Sequence, residues 1–478
     1  MKAPAFLAMA VLHGLTAHAA TIHVNSTADQ IADSGACSVR EAIIAANTNA
    51  PSGATAGECT SGSSASTDVI VIPAGTYALT LAGLEESYET TTTIGDLDAT
   101  QSVTITGAGR DLTIIDGAGL DARVLHVVGT SGVFTISKLT IRNGLHLTFP
   151  NAGSGGGLAA AGPVSLVVAD ARFSGNSAIS GGGIYVGNDL ASATFTRLIV
   201  DGNTADREGG GMYIYSSAQV ADSIIMGNST LDNFSWYGGG GIKLYAANLV
   251  MSRTTITENT SAGVGGGLYI EWGAVLTATD STIDHNTAAY GGGIALEYAN
   301  PSSLTNSTIS DNVGFDYGGG ISSTADSDPY TLTQVTVAGN SAPSASAIYI
   351  GNGATLRNSI VSGSCGGNFV TSQGGNVESP GDNCGLTHAT DQVAVSAVAL
   401  GLQGLAFNGG PTQTRLLSVP SVAIDTARAI YCTPRDQRGT TRPQGAACDV
   451  GAVERVPGAL FYDGFESGTL GVWSSHVP

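Results

Sequence analysis

Gly181-Gly182-Gly183-Ile184-Tyr185-Val186, followed after a short polar run by Ile199-Val200-Asp201-Gly202-Asn203-Thr204, is one copy of a unit that the chain repeats. The glycine triplet with its aliphatic residue recurs, ending at Leu158, Met212, Ile242, Leu268, Ile294 and Ile321, and the third glycines are 26, 28, 30, 26, 26 and 27 residues apart. A second mark, a bulky apolar residue three places before an asparagine, keeps the same period at Asn176, Asn203, Asn228, Asn259, Asn286, Asn312 and Asn340. Between the marks, short alternating runs such as Ile184-Tyr185-Val186 and Ser281-Thr282-Ile283 read as strands with one buried face. A unit this short cannot bury its apolar side alone and must stack on its neighbours. The reading is an all-β solenoid, a parallel β-helix with three short strands per turn. Residues 69–362 provide about eleven turns, a rod of about 50 Å at one strand spacing per turn.

Both marks have structural reasons. A sharp corner nested on the corner above leaves no room for a Cβ, which explains the glycines. Inward amides stacked at one strand spacing can hydrogen-bond up a ladder and satisfy corner backbone groups away from water, which explains the asparagines.

Composition agrees. The chain has 67 glycines in 478 residues, 18 Lys+Arg against 38 Asp+Glu, a net charge of −20 and 42% hydrophobic residues. A coiled coil needs far more charged helix formers, a nucleic-acid binder needs a basic face, and a disordered chain lacks this much apolar matter. Residues 1–20 read as an export signal: Lys2, an apolar run from Ala5 to Leu12, then small residues up to Ala20. No later stretch is apolar for long enough to span a bilayer. Six cysteines suit an oxidising compartment, and their spacing favours local pairing of Cys37 with Cys59, Cys365 with Cys384, and Cys432 with Cys448 among the connectivities six cysteines allow.

A solenoid has two open ends that must be covered. Residues 21–68 supply a cap in which Ser38-Val39-Arg40-Glu41 is a capping box opening a helix through about Asn47. Residues 363–456, where the triplets have decayed, form a second cap, and residues 457–478 are a tail after Pro457-Gly458. Several of these segments resemble known families. The paired glycine and asparagine marks look like the repeats of polymorphic outer-membrane proteins, which implies a right-handed coil. Cys37-Ser38-Val39-Arg40-Glu41-Ala42 resembles the motif of CSLREA-domain proteins, with Val39 in place of leucine. Asp436-Gln437-Arg438-Gly439, Arg442-Pro443 and Cys448-Asp449-Val450-Gly451 resemble bacterial choice-of-anchor proteins. Together they imply an exported bacterial surface protein and are nearly silent on activity.

Catalytic motifs are scarce. Right-handed β-helices include polysaccharide lyases and hydrolases, but the chain has no Asp-Asp pair and no Gly-His-Gly, and beyond the leader its lysines are Lys138 and Lys243 alone. The densest acidic group, Asp201, Asp206 and Glu208 beside Arg207, reads as a solvated corner, and Ile283-Asp284-His285-Asn286 fills an ordinary repeat slot. The stronger pattern is aromatic. The residue after the inward aliphatic should face outward, and it is tyrosine at Tyr185, Tyr213 and Tyr269, with Lys243 interrupting, while Tyr237, Tyr290 and Tyr317 stand before the glycines. The longest unit adds Phe234, Trp236 and Tyr237 in one loop.

A glycan-binding strip built from Trp236, Tyr237, Tyr269, Tyr290 and Tyr317 is the functional candidate; tyrosines that merely pack on one another up the rod are the competing reading. The expected function is binding or adhesion by a secreted or cell-surface protein acting as a monomer, with an extracellular polysaccharide as partner. Polysaccharide cleavage and a passive surface spacer are the alternatives. No catalytic residue and no cofactor is assigned; calcium is the cation that an enzymatic reading would add.

Overall fold

The computed structural model describes residues 19–83, 92–147, 154–234, 237–368 and 370–458. The segment expected to be an export signal, except for its last two residues, and the stretch beyond residue 458 lie outside them. One central turn shows the plan. Ser192–Thr196, Ile199–Asp201, Thr204–Glu208 and Met212–Ile214 follow one another around the coil. Each pairs in parallel with its counterpart in the next turn. The coil is thus walled by a first sheet of 13 strands, a second of 12 and a third of 11, in keeping with the expected number of turns. A fourth sheet of 7 strands, which the three-strand reading lacks, occupies only the central turns. There the chain between each asparagine and the next glycines is long enough to pair before it bends.

Inside the coil, Ile184, Met212, Ile242, Leu268 and Ile294 stack from turn to turn in one continuous apolar core. At the corner beyond them lies the asparagine ladder. Asn228 donates from its backbone N–H (3.0 Å) and its Nδ2 (2.9 Å) to Asn259 Oδ1, and Asn259 does the same to Asn286. Asn259 Nδ2 also donates to Ile225 O (2.9 Å). The pattern runs from Asn176 to Asn340, all of them buried.

The glycines of a unit are not equivalent. A Cβ on Gly266 would lie 2.4 Å from Gly292 O and 2.6 Å from both Thr287 N and O, all backbone atoms of the next turn. Gly202 has φ of 61° but open space around it. Gly202→Ala is therefore expected to cost only the left-handed strain of about 1–2 kcal/mol. Gly266→Ala must push two turns apart and should cost roughly 3 kcal/mol or more, the upper end of overpacking. Urea midpoints of the two variants check this; equal losses would mean that conformation alone, not nesting, selects the triplets.

At the N-terminal end, the helix Val39–Thr48 carries a complete capping box between Ser38 and Glu41 and buries Ala42, Ile43 and Ala46 against the first turn. Arg40 is fully buried, with Nε 2.7 Å from Asp29 Oδ1 and its guanidinium donating to Thr92 O (3.0 Å) and Gly95 O (2.9 Å). Burial raises the Asp29 carboxyl, but Arg40 together with the backbone N–H groups of Leu81 and Thr80 outweighs that and holds it below the usual range. Cys37–Cys59 ties the helix down, and Cys365–Cys384 and Cys432–Cys448 form the other disulfides.

The C-terminal region does two jobs rather than one. Cys384, Leu386 and Val393 close the end of the core, but the chain from Ala397 turns back along the outside of the second sheet. Strands of that sheet alternate partly exposed and buried up to Thr255–Thr257, then are buried throughout at Thr282–Asp284, Thr308–Ser310 and Thr336–Ala338. Outward threonines there bond the returning layer: Thr308 Oγ1 donates to Gln437 Oε1 (2.7 Å), Gln437 Nε2 donates to Thr282 Oγ1 (2.9 Å), and Ala452 N donates to Thr336 Oγ1 (3.0 Å). The Asp-Gln-Arg-Gly motif is thereby a side clamp. Leu400, Leu417, Ala423 and Val450 give this layer a small core shared with Ile360 and Val377.

Candidate functional site

The outer face of the third sheet is the chemically richest surface. Parallel pairing without slippage places Asp98, His126, Ala159, Tyr185, Tyr213, Lys243, Tyr269, Ala295, Ser322 and Tyr349 in a single column, one residue per turn. A second column two residues on contains Tyr245, Glu271 and Glu297. The residues before each glycine triplet form the rim, where Tyr290 pairs with Tyr317.

At the centre of the column Lys243 is completely buried. Its Nζ lies 2.5 Å from Glu271 Oε2, 3.4 Å from Glu208 Oε1 and 3.4 Å from the centroid of the Tyr269 ring. The Tyr269 hydroxyl donates to Glu297. Burial pushes Lys243 below the usual lysine range, although the two glutamates pull it back. Burial likewise raises the Glu208 carboxyl against the pull of Lys243 and raises the hydroxyls of Tyr213 and Tyr269. An amine poorer in protons than a free lysine beside a carboxyl richer in them is a pair able to exchange a proton. With no exposed surface, however, Lys243 reaches a ligand only through Glu208 and the surrounding rings.

Those rings are ordered. Tyr185 and Tyr213 stack at 5.3 Å with planes 3° apart, and Tyr215 meets Tyr245 edge-on at 4.9 Å. Tyr290, Tyr317 and Tyr349 form a tilted series at 4.6 and 4.3 Å. Five residues were expected to make a surface strip, and the structure distributes them differently. Tyr290 and Tyr317 are half-buried neighbours on the rim. Tyr237 is half-buried, with the Arg207 guanidinium 5.4 Å from its ring centroid and Phe234 edge-on at 6.1 Å. Tyr269 offers nothing to a ligand, because Val264, Ala295 and Tyr290 pack over it. Trp236 lies outside the described residues.

The acidic group at 201–208 does not converge. Asp201 belongs to the second sheet and pairs with Arg172 (2.6 Å), while Glu208 turns to Lys243. Asp284 is buried and bonded to His285 Nδ1 (2.7 Å). Among the described residues, Asp96, Asp98 and His126 could bring three ligand atoms within 4.8 Å. Calcium prefers an all-oxygen cage, and here Arg123 Nε already lies 3.0 Å from Asp96 Oδ2 and His126 Nδ1 3.1 Å from Asp98 Oδ1, so this group does not suit calcium.

The profile of a family described as right handed beta helix region matches residues 124–289 and 233–383, more than half of the chain. The chain belongs to the right-handed β-helix family. Among curated proteins no relative matches it. The β-helix is similar to two solved structures in the path of its backbone. For the pectate lyase Pel9A the identity is 14% and the TM-score 0.43, over 82% of this chain and 89% of that one. For the A-module of the mannuronan C-5 epimerase AlgE4 from Azotobacter vinelandii they are 13% and 0.31, over 76% and 98%. Likeness at this level describes a coil and does not transfer a reaction. Among the described residues no helix is long and apolar enough to cross a membrane.

Proposed function

We propose that this β-helix is exported and binds an extracellular glycan along the rim where its fourth sheet meets the outer face of the third, in an adhesive or anchoring role. The observation that carries the reading is the series Tyr290, Tyr317 and Tyr349, ring against ring across three turns and each partly open to solvent. The C–H faces of pyranose rings stack on such aromatic surfaces, and the tyrosine hydroxyls at the open edge can bond sugar hydroxyls. The three disulfides are consistent with an oxidising, extracellular setting. The segments resembling CSLREA-domain and choice-of-anchor proteins support export to a bacterial surface.

The test is retention of the purified protein on a panel of insoluble and soluble polysaccharides. Tyr317→Ala removes the middle ring of the series and is expected to weaken retention about tenfold, which corresponds to about 1.4 kcal/mol. Unchanged retention by Tyr317→Ala sinks the rim as a binding surface.

A second reading, polysaccharide cleavage, is favoured by one observation: the lowered Lys243 amine with Glu208 at its side and Tyr269 bonded to Glu297. Proton removal next to a sugar carboxylate uses a base of this kind. Release of unsaturated or reducing sugars that is abolished by Lys243→Met in a folded protein would establish it.

A further inference from the structure

Trp272 and Tyr298 stand at equivalent corners of successive turns, each directly after a glutamate of the second outward column, Glu271 and Glu297. Both have left-handed backbone, with φ of 51° and 49°, a conformation that suits asparagine, aspartate or glycine and disfavours bulky side chains. At other positions of the coil with positive φ, the residues other than glycine are Asp, Asn, Arg, Lys, Gln, Glu, His or Ala, none of them an indole or a phenol. An indole and a phenol are therefore not there to satisfy the backbone, and they are not there to fill the core, since they are 56% and 44% exposed. Their rings stack at 5.3 Å with planes 22° apart. Tyr298 covers one face of the indole from the following turn. On the opposite side, the preceding turn places Ala246 at the same corner, also with positive φ (50°) and bound to the next turn through Ala246 N to Glu271 O (3.1 Å). A methyl group stands at that corner where the next two turns carry large rings, and Trp272 is more than half exposed. Half-buried Glu297 and exposed Asn300, whose Nδ2 donates to Gly273 O (2.8 Å), edge the platform with polar groups.

We propose that Trp272 and Tyr298 form a stacking platform for one pyranose ring of a neutral polysaccharide, a subsite separate from the Tyr290–Tyr317–Tyr349 rim. The neutral class follows from charge: Glu208 and Glu271 share a single ammonium, Lys243, and Glu297, bonded to the Tyr269 hydroxyl, adds a further carboxylate in a chain of net charge −20, so a polyuronate would be repelled where a neutral hexose is not. The platform rests on the reading of this face as glycan-binding and extends it to a particular pair of residues and a particular sugar class.

The experiment uses the full chain with Trp236→Phe and Trp473→Phe, which leaves Trp272 as its tryptophan, titrated with hexaoses of β-linked glucan, mannan and galactan and with polygalacturonate. The expected result is a saturable change in Trp272 emission with at least one neutral hexaose and none with polygalacturonate. In the otherwise native chain, Trp272→Asn with Tyr298→Asn should weaken binding of that hexaose at least tenfold while the unfolding midpoint stays level or rises, because asparagine suits the corner. Trp272→Phe should restore most of the binding.

Unchanged affinity in the Asn/Asn variant, with affinity lost in Tyr317→Ala, overturns the platform and leaves glycan binding at the rim standing. A fall in the unfolding midpoint with unchanged affinity also overturns it and makes the pair a structural stack. Trp272 emission that responds to polygalacturonate alone overturns the neutral class. No retention of the wild-type chain by any member of the panel overturns the platform together with the binding reading beneath it.

Discussion

Asn259→Ala is expected to lower stability by on the order of 3–9 kcal/mol, from the count of buried groups it leaves unpaired at about 1–3 kcal/mol each. Those groups are the Asn228 backbone N–H and one Asn228 Nδ2–H, both of which donate to Asn259 Oδ1, and Ile225 O, which accepts from Asn259 Nδ2. No water can take their place where Asn228 and Asn259 are buried to 1% and 0% exposure. The ladder predicts a gradient as well as a magnitude. Asn176 stands at its start, where its Oδ1 accepts from Gly144 N (3.0 Å) and its Nδ2 donates to Ile141 O at a longer 3.3 Å. Asn176→Ala thus strands fewer groups, and its loss should be about half that of Asn259→Ala. Urea denaturation of both variants, followed by amide exchange around Asn228, measures the difference. Equal losses, or a loss at Asn259 under 1 kcal/mol, would show that the amides decorate the corner without supporting it. The total stability of a domain is about 5–15 kcal/mol, and a solenoid transmits strength only between neighbours. A break at Asn259 is therefore expected to separate the rod into two parts that unfold at different denaturant concentrations.

The ladder and the glycine corners were legible because each is a one-residue requirement repeated at a fixed interval, and period survives in sequence. The capping box at Ser38 and Glu41 was legible for a related reason, being a local pattern with a local cause. What hid was everything that depends on which face is covered. Alternation assigns Tyr269 to the outside of its strand, but whether the outside is wet depends on Val264, from the stretch leading into that strand, and on Tyr290, from the next turn. Lys243 looked like an interruption in a row of tyrosines because the glutamate it meets at 3.4 Å belongs to the preceding turn. The fourth sheet and the return of residues 397–456 along the second sheet hid too, since neither has a period of its own. One signal for the return was present: the outward position of the second sheet changes from Arg172, Ile199 and Ile224 to Thr255, Thr282, Thr308 and Thr336, and from Thr282 on these threonines bond to the chain laid over them or lie beneath it. Trp272 and Tyr298 were invisible as a pair because a left-handed corner leaves no mark when the residue occupying it is one that avoids the conformation.

Lys243→Met is the second large effect, and it separates a structural role from a chemical one. Removing the ammonium leaves the Glu271 carboxylate buried without the partner 2.5 Å away and Glu208 without the one at 3.4 Å. Breaking one side of a buried ion pair costs about 3–5 kcal/mol, most of it the penalty of the orphaned charge. The loss should be repaired in large part by adding Glu271→Gln, because a neutral amide beside methionine no longer strands a charge, and a double-mutant cycle on thermal or urea unfolding gives the coupling directly. The pH dependence has a fixed sign. Burial already raises the Glu208 carboxyl in the folded protein, and removal of Lys243, which opposes that rise, can only raise it further. A folded state that holds a proton more tightly than the unfolded chain gains stability as pH falls toward the unfolded carboxyl range, so the defect of Lys243→Met should be widest at pH 7–8 and narrow toward about pH 5. A defect that is constant across that range, or one that Glu271→Gln deepens, would mean that packing of the lysine stem and its contact with the Tyr269 ring, rather than charge, is what the site loses. Glycan retention by the double variant then decides what the cluster is for: if the repaired protein still binds, the lysine and its glutamates hold the aromatic face in shape, and the ligand meets only the rings.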